Sequence, residues 1–349
     1  MVGISAAKSR FLRGRNTAVN PTQLRAAVVG AGLMGRWHAY YAAAVGSEIA
    51  AVVDPDPGAR AALAARHRGA AGFADLEECF TATRIDVVHV CTPTVSHAEL
   101  CTVALDAGKH VLVEKPLAES SMETRRLVRL AAERDVLLNP VHQFPFQHGL
   151  RRVRERATRL GRLVELSFVA HSAGGTGKTA EERRAILFEI LPHPLSLFRA
   201  LNGSLADVSW RVVVATDDDL DVGGEQDAVL VRARISLRGR PTRNELVVVG
   251  ERGTAHVDLF HGFSIVEAGA PSRRAKIVRP LAYGEKLMAT AGANLVRRAA
   301  RREPAYSGLR ELIGAFHGAV RDGGQAPIAE AEILEVAEIV DRLRRQART

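Results

Sequence analysis

Between residues 24 and 54 the sequence places a glycine turn in a setting few folds provide. Arg25 to Val29 is a short apolar run, Gly30-Ala31-Gly32-Leu33-Met34-Gly35 follows it, and a helical pattern continues to about Val45. A second apolar run, Glu48 to Val53, stops at Asp54, 19 residues after Gly35. In a strand–turn–helix unit the three glycines have distinct uses. Gly30 permits the tight turn, Gly32 lets backbone approach a pyrophosphate, and Gly35 lets the helix pack close to the sheet. The first helical turn, with Leu33 and Met34, offers unpaired N–H groups to phosphate. An acid at the end of the second strand suits the two hydroxyls of a ribose and repels a 2′-phosphate. The motif alone is weak evidence. Its placement between strand and helix, with Asp54 after it, makes a dinucleotide site the better reading than a glycine-rich surface turn.

The chain keeps alternating short apolar runs with helical patterns as far as Asn139. Helices are expected from about Gly58 to His67, after Asp75, from Ser96 to Ala107, and after Ser120, where Glu123 gives a capping-box spacing. Strands are expected at Asp86–Val90, His110–Val113 and Val136–Leu138. This is the order of an N-terminal Rossmann domain, a doubly wound parallel sheet, over residues 24–146.

The 349 residues allow a second domain. Alternating runs at Arg162–Ala170, Ser209–Thr216, Ala228–Ser236, Glu245–Val249 and Thr254–Leu259 predict an open, mainly antiparallel sheet. With helices around it they form a C-terminal α/β domain over 147–349, closed by helices within 305–345. Asp217-Asp218-Asp219 reads as a solvated turn, and no metal site is expected. Gly174-Gly175-Thr176-Gly177-Lys178-Thr179 imitates a phosphate loop, but Ser172 stands where that pattern needs its first glycine. A flexible loop able to cover a substrate is the better reading.

Bulk properties narrow the class further. No apolar run approaches the roughly 18 residues that span a bilayer. Residues 1–23 carry Lys8, Arg10, Arg13 and Arg15 without an apolar core, so a disordered basic extension is expected and a secretory signal is not. Three cysteines without metal-ligand spacing suggest reduced thiols and a cytoplasmic location. The net charge of +9 is spread over helix faces such as Arg151–Arg159 and Arg297–Arg302. No nucleic-acid motif accompanies it, so neither nucleic acid nor membrane is an expected partner.

Two further segments are more specific. Cys91-Thr92-Pro93-Thr94-Val95-Ser96-His97-Ala98-Glu99 follows the third principal strand, and Val113-Glu114-Lys115-Pro116-Leu117-Ala118 ends the next. Together with the glycine turn they resemble the glucose-fructose oxidoreductase / inositol dehydrogenase / MocA family. Val249–Asp258 and the helices near Leu309–Ala319 and Ile328–Leu343 extend the resemblance over roughly residues 24–345. It implies an NAD(H)-dependent oxidoreductase, with NADP less favoured, acting on a secondary alcohol or ketone of a sugar, cyclitol or similar polyhydroxylated molecule. It also implies that Thr92, Pro93, His97, Glu114 and Lys115 flank the dinucleotide. The Lys115–Pro116 bond is often cis in the family, which turns the lysine toward substrate. There Lys115 can stabilise charge developing on the reacting oxygen; the competing reading is a surface lysine before a proline turn.

The resemblance continues at Phe188-Glu189-Ile190-Leu191-Pro192-His193-Pro194, with departures. His193 matches the catalytic histidine, a natural proton acceptor near neutral pH. Glu189 replaces an aspartate, Leu191 a glycine, and Ser196 a second aspartate. The alternative for His193 is a structural histidine between two prolines. Relatives carry an arginine where this chain has Phe144 and Pro145, which leaves His142 and Gln143 as candidates to line the substrate pocket. Relatives also use the outer sheet face to form homodimers or homotetramers. Some reduce imines, or use NAD transiently to cleave glycosides. A non-catalytic cofactor sensor on the same fold would need neither Lys115 nor His193.

Overall fold

The computed structural model describes residues 23–269 and 273–348. The basic extension expected over 1–23 therefore lies, except for Gln23, outside the described residues. Six strands form an all-parallel sheet: β1 (Arg25–Val29), β2 (Glu48–Val53), β3 (Ala71–Phe73), β4 (Val87–Val90), β5 (His110–Val113) and β6 (Leu138–Pro140). Their order is β3-β2-β1-β4-β5-β6. The order reverses between β1 and β4, and the carboxyl ends there border the crevice where such sheets bind ligands. Strand β4 is buried at every residue, as expected where helices cover both faces of a parallel sheet.

Helices α1 (Leu33–Ala44), α2 (Pro57–Ala64), α3 (Leu76–Ala82), α4 (His97–Asp106) and α5 (Ser121–Glu133) supply that cover. Local chemistry sets their starts. The Asp56 side chain accepts from Gly58 N and Ala59 N, with Pro57 in the first turn of α2. Asp75 and Ser120 cap α3 and α5 in the same way.

The second sheet has seven strands in the order β13-β12-β11-β7-β10-β9-β8. These are β7 (Leu163–His171), β8 (Arg211–Ala215), β9 (Asp219–Gln226), β10 (Val229–Ser236), β11 (Arg243–Gly250), β12 (Gly253–Asp258) and β13 (Phe263–Ala268). Only the central β7–β10 pair is parallel. The mainly antiparallel expectation holds. Between β6 and β7 lie α6 (His148–Glu155) and α7 (Ala157–Leu160); α8 (Ala180–Ile190) and α9 (Pro192–Asn202) lie between β7 and β8. Gly174 to Lys178 forms a tight turn series leading into Thr179, which caps α8 in a reciprocal capping box with Glu182. Asp217 and Asp218 pair with Arg184 and Arg183, and Asp219 begins β9 and pairs with Arg238.

The chain closes with α10 (Arg273–Ala300), α11 (Leu309–Asp322) and α12 (Glu330–Gln346). Leu309, Leu312, Ile313 and Phe316 of α11 join the core of the first sheet, against α1. Helix α12 serves both cores. Ile333 enters the first, while Val336, Ile339, Val340 and Leu343 enter the second.

Candidate active site

The glycine turn has the geometry its residues suggested. Gly30 has φ +91°, and a Cβ there would lie 2.9 Å from Cys91 O. A Cβ at Gly35 would lie 1.8 Å from Gly30 O, so α1 could not approach the turn with any other residue. At Gly32, by contrast, a Cβ would meet nothing within 4 Å, which leaves open backbone facing the crevice. Asp54 Oδ2 accepts from Ala31 N at 2.7 Å and Oδ1 from Asp56 N at 2.9 Å. The carboxylate thus ties the end of β2 to the glycine turn. About half of its acceptor capacity remains for ribose hydroxyls. Arg60 donates to the carbonyls of Asp54 and Pro55, both at 3.1 Å. The sequence separates this cation from Asp54 by six residues, and the first turn of α2 brings it back. These features fit a dinucleotide: forced glycines, open backbone at a helix start, and a carboxylate at the ribose end.

The Thr92 and Lys115 loops form the crevice wall. Lys115–Pro116 is cis. His97 is buried, its Nδ1 2.8 Å from Pro116 O and its Nε2 2.9 Å from Thr92 O, so it braces the two loops against each other. Glu114 is 8% exposed; one carboxylate oxygen accepts from Lys115 N at 3.2 Å and the other lies 3.2 Å from His38 Nε2. Burial pushes its carboxyl up, but the hydrogen bond with His38, aided by Lys115, outweighs that and holds it below the usual carboxylate range. Burial and the nearby Glu114 push the Cys91 thiol well up, so it lines the crevice as an apolar group.

From the second domain, α8 ends at Ile190 and α9 begins at Pro192. The break between them turns Glu189 and His193 into the same cleft as Met34, Thr92, Pro93, Glu114, Lys115 and Gln143. Lys115 crosses the domain boundary, its Nζ donating to Glu189 O at 3.2 Å. The His193 ring stacks on Phe144 with centroids 4.4 Å apart and planes 24° off parallel. Burial first, then the charges of Lys115 and His142, hold His193 well below the ordinary imidazole range, so the ring is neutral. His142 is held down to about 4 by burial and Lys115. It packs beside the loop at Pro116 and Pro140, one layer behind the cleft.

Three buried atoms here lack partners: His142 Nδ1, Gln143 Oε1 and His193 Nδ1. Buried polar atoms are rarely left so, and two of these residues, Gln143 and His193, line the cleft. Glu189 lines the cleft beside His193 without a hydrogen bond to its ring. Tyr306, in the loop before α11, also lines the cleft. It stands 113 positions beyond His193, with no local signal to mark it. Among the described residues no group of three or more His, Cys, Asp or Glu could hold a metal ion.

Comparison with known proteins agrees with this geometry. Residues 24–142 match the Gfo/Idh/MocA family model, described as an oxidoreductase family with an NAD-binding Rossmann fold. The chain is 26% identical over 223 residues to scyllo-inositol 2-dehydrogenase (NADP(+)) IolU of Bacillus subtilis, covering 57% of this chain and 65% of that one. It is 40% identical over 109 residues to inositol 2-dehydrogenase of Leifsonia xyli, covering 31% and 32%. The matched stretches thus span less than two thirds of either relative. A solved structure of the WlbA dehydrogenase from Bordetella pertussis, in complex with NADH and UDP-GlcNAcA, superposes with a TM-score of 0.73 at 19% identity, covering 93% and 96%. At that identity the likeness speaks for the fold.

Proposed function

We propose that the chain, whose residues 24–142 match the Gfo/Idh/MocA family model, is a glucose-fructose oxidoreductase / inositol dehydrogenase / MocA family member that transfers hydride between NAD(H) and a secondary alcohol or ketone of a sugar, cyclitol or similar polyhydroxylated molecule. One observation carries this reading. Lys115 of the first domain and His193 of the second meet in a single cleft at the mouth of the glycine turn.

Bound dinucleotide supplies the hydride acceptor or donor. The chain's own groups do the rest. The open backbone at Gly32 and the start of α1 hold pyrophosphate, and Asp54 holds the adenosine ribose. Lys115 spends one N–H on Glu189 O and keeps two for the reacting oxygen. His193, neutral and with Nδ1 unpartnered, accepts the hydroxyl proton during oxidation and returns it during reduction. The Glu189 carboxylate and Gln143 Oε1 accept from neighbouring hydroxyls. This acceptor-rich lining suits a ligand rich in O–H donors.

A panel of sugars and cyclitols with NAD, read by NADH absorbance, tests the reading, with the corresponding ketones and NADH as the reverse arm. Absence of turnover in both arms, with dinucleotide binding intact, would overturn it. We further propose that the outer face of the second sheet joins copies of the chain. Val214 and Leu230 are exposed on strands whose alternate residues enter the core, and light scattering gives the mass.

A further inference from the structure

Behind Glu114 the first domain contains a file of polar side chains that the proposed chemistry leaves unused. Glu114 Oε1 lies 3.2 Å from His38 Nε2, and His38 Nδ1 lies 2.9 Å from His89 Nδ1. His89 Nε2 lies 2.9 Å from His317 Nε2, and His317 Nδ1 lies 2.7 Å from Ser47 Oγ. Each member comes from a different place: the end of β5, α1, β4, α11 and the turn before β2. The three rings are at most 1% exposed and meet edge to face. The file begins at a carboxylate lining the cleft. It ends at Ser47, 4% exposed, beside the exposed Gly46 and half-buried Glu48.

We propose that Ser47, His317, His89 and His38 form a proton relay connecting Glu114 in the cleft to the opposite surface of the domain. Hydrogen-bond accounting supports it. An ionised Glu114 can only accept, so His38 donates from Nε2. A neutral ring has one N–H, so His38 Nδ1 accepts and His89 Nδ1 donates. The same reasoning makes His317 donate from Nε2 to His89 Nε2, and Ser47 donate its hydroxyl to His317 Nδ1. Every group is then satisfied with all donors pointing one way. Burial above all holds His89 well down, and burial, with Arg321, holds His317 down to about 4, so these two rings are neutral.

The transfer balances. One proton from solvent enters at Ser47 Oγ as the hydroxyl proton passes to His317 Nδ1. The His317 Nε2 proton passes to His89 Nε2, the His89 Nδ1 proton to His38 Nδ1, and the His38 Nε2 proton to Glu114. The result is a neutral Glu114, three neutral rings of opposite tautomer, and no change of redox state. The reverse run returns the proton to the surface. The relay lets Glu114, which also faces Lys115, Cys91, His142 and Tyr306, exchange a proton with solvent while ligands fill the cleft.

A purely structural role would be preserved by any residue that keeps the hydrogen bonds; a relay would not. Glutamine at position 89 offers one donor and one acceptor but cannot shuttle a proton between them. The first experiment is nitrogen-15 histidine NMR on the chain without ligand, which does not depend on the proposed activity. His38 and His317 should carry the proton on Nε2 and His89 on Nδ1, or all three the reverse. A mixed or doubly protonated pattern overturns the proposal. The second rests on the dehydrogenase reading and uses whichever polyol the NAD panel identifies. His89→Gln should keep its Tm and NAD affinity but turn over on the order of tenfold slower, with added imidazole buffer restoring rate. Unchanged turnover, or a loss of rate that follows a loss of Tm, overturns the relay. If the wild-type chain turns over no polyol, the activity reading fails while the NMR result still decides the relay's geometry.

Discussion

At the scale of single residues, cofactor choice rests on two opposed charges. Asp54, the proposed ribose ligand, ties the end of β2 to the glycine turn, whereas Arg60 stands against the carbonyls of Asp54 and Pro55. A 2′-phosphate would meet the carboxylate first, so NAD(H) should bind more tightly than NADP(H). Asp54→Ala removes the repulsion and leaves Arg60 in place, and calorimetry should then show the preference narrowing or reversing. Stronger NADP(H) binding by the unaltered chain would sink the assignment. In the proposed function Lys115 and His193 act at the reacting oxygen. Lys115→Met should keep nucleotide affinity and Tm while losing ~2 kcal/mol or more of transition-state stabilisation. His193 is held neutral well below its ordinary range, so its base form persists as pH falls. Oxidation should therefore stay level through the usual imidazole range and decline only in more acidic solution. A steep loss between pH 7 and 6 that vanishes in His193→Ala would show a ring of ordinary acidity instead. Because Glu189 lines the cleft without bonding His193, Glu189→Gln should weaken apparent substrate affinity more than turnover. The opposite split would mean that it orients the ring after all.

At the scale of elements, legibility followed the strength of the local pattern. The strands of the first sheet with four or more residues are mainly apolar, each with one polar residue, and β1, β2 and β5 fall where the sequence put them. Strand β3 is three residues long with only Phe73 buried, too little to separate it from a loop. The last parallel strand sits two residues later than expected, at Leu138–Pro140. In the second sheet β9 reads Asp-Leu-Asp-Val-Gly-Gly-Glu-Gln, where glycines and acids hide the alternation. Its place comes from eight residue pairs with β10. Helix α10 went unseen because Pro280 and a string of exposed apolar residues, among them Ile277, Leu281 and Met288, obscure any single stripe. In the site, Lys115 and the glycines were visible from local spacing. Tyr306 and the His38–His89–His317 file are assembled by tertiary structure and have no sequence period to find. The turn itself can be tested. Gly35→Ala places a methyl 1.8 Å from Gly30 O, against backbone that cannot move without displacing β1. We expect a loss of about 1–3 kcal/mol of stability and weakened NAD(H) binding, both measurable on the purified variant. Unaltered binding would show that α1 tolerates a shift from the turn.

The whole molecule gathers neutral histidines where its parts meet. His317 of α11 packs against His89 of β4, joining the far end of the chain to the first sheet. His142 and His193 flank the boundary between the two domains, and α12 serves both cores. In the folded chain all four rings are held below the ordinary imidazole value of 6.5, burial being the largest cause for each. Unfolding exposes them to water, where they bind protons near pH 6.5. The sign follows from linkage: below that pH the unfolded chain holds more protons than the folded one, so stability falls as pH falls. His142 and His317 keep contributing down to about 4. Each histidine costs up to about 1.4 kcal/mol per pH unit inside its window. Four together should remove roughly 5 kcal/mol between pH 7 and 5.5, a large share of a typical folding free energy of about 5–15 kcal/mol. Glu332 on α12 is raised by burial and acts in the opposite sense, but a single carboxyl cannot offset four rings. Urea midpoints at pH 7 and 5.5, read by far-UV circular dichroism, should drop together for both sheets, because α12 ties their cores. A midpoint unchanged over that interval would mean that the rings are charged and satisfied inside the fold, and the neutral file behind Glu114 would fall with it.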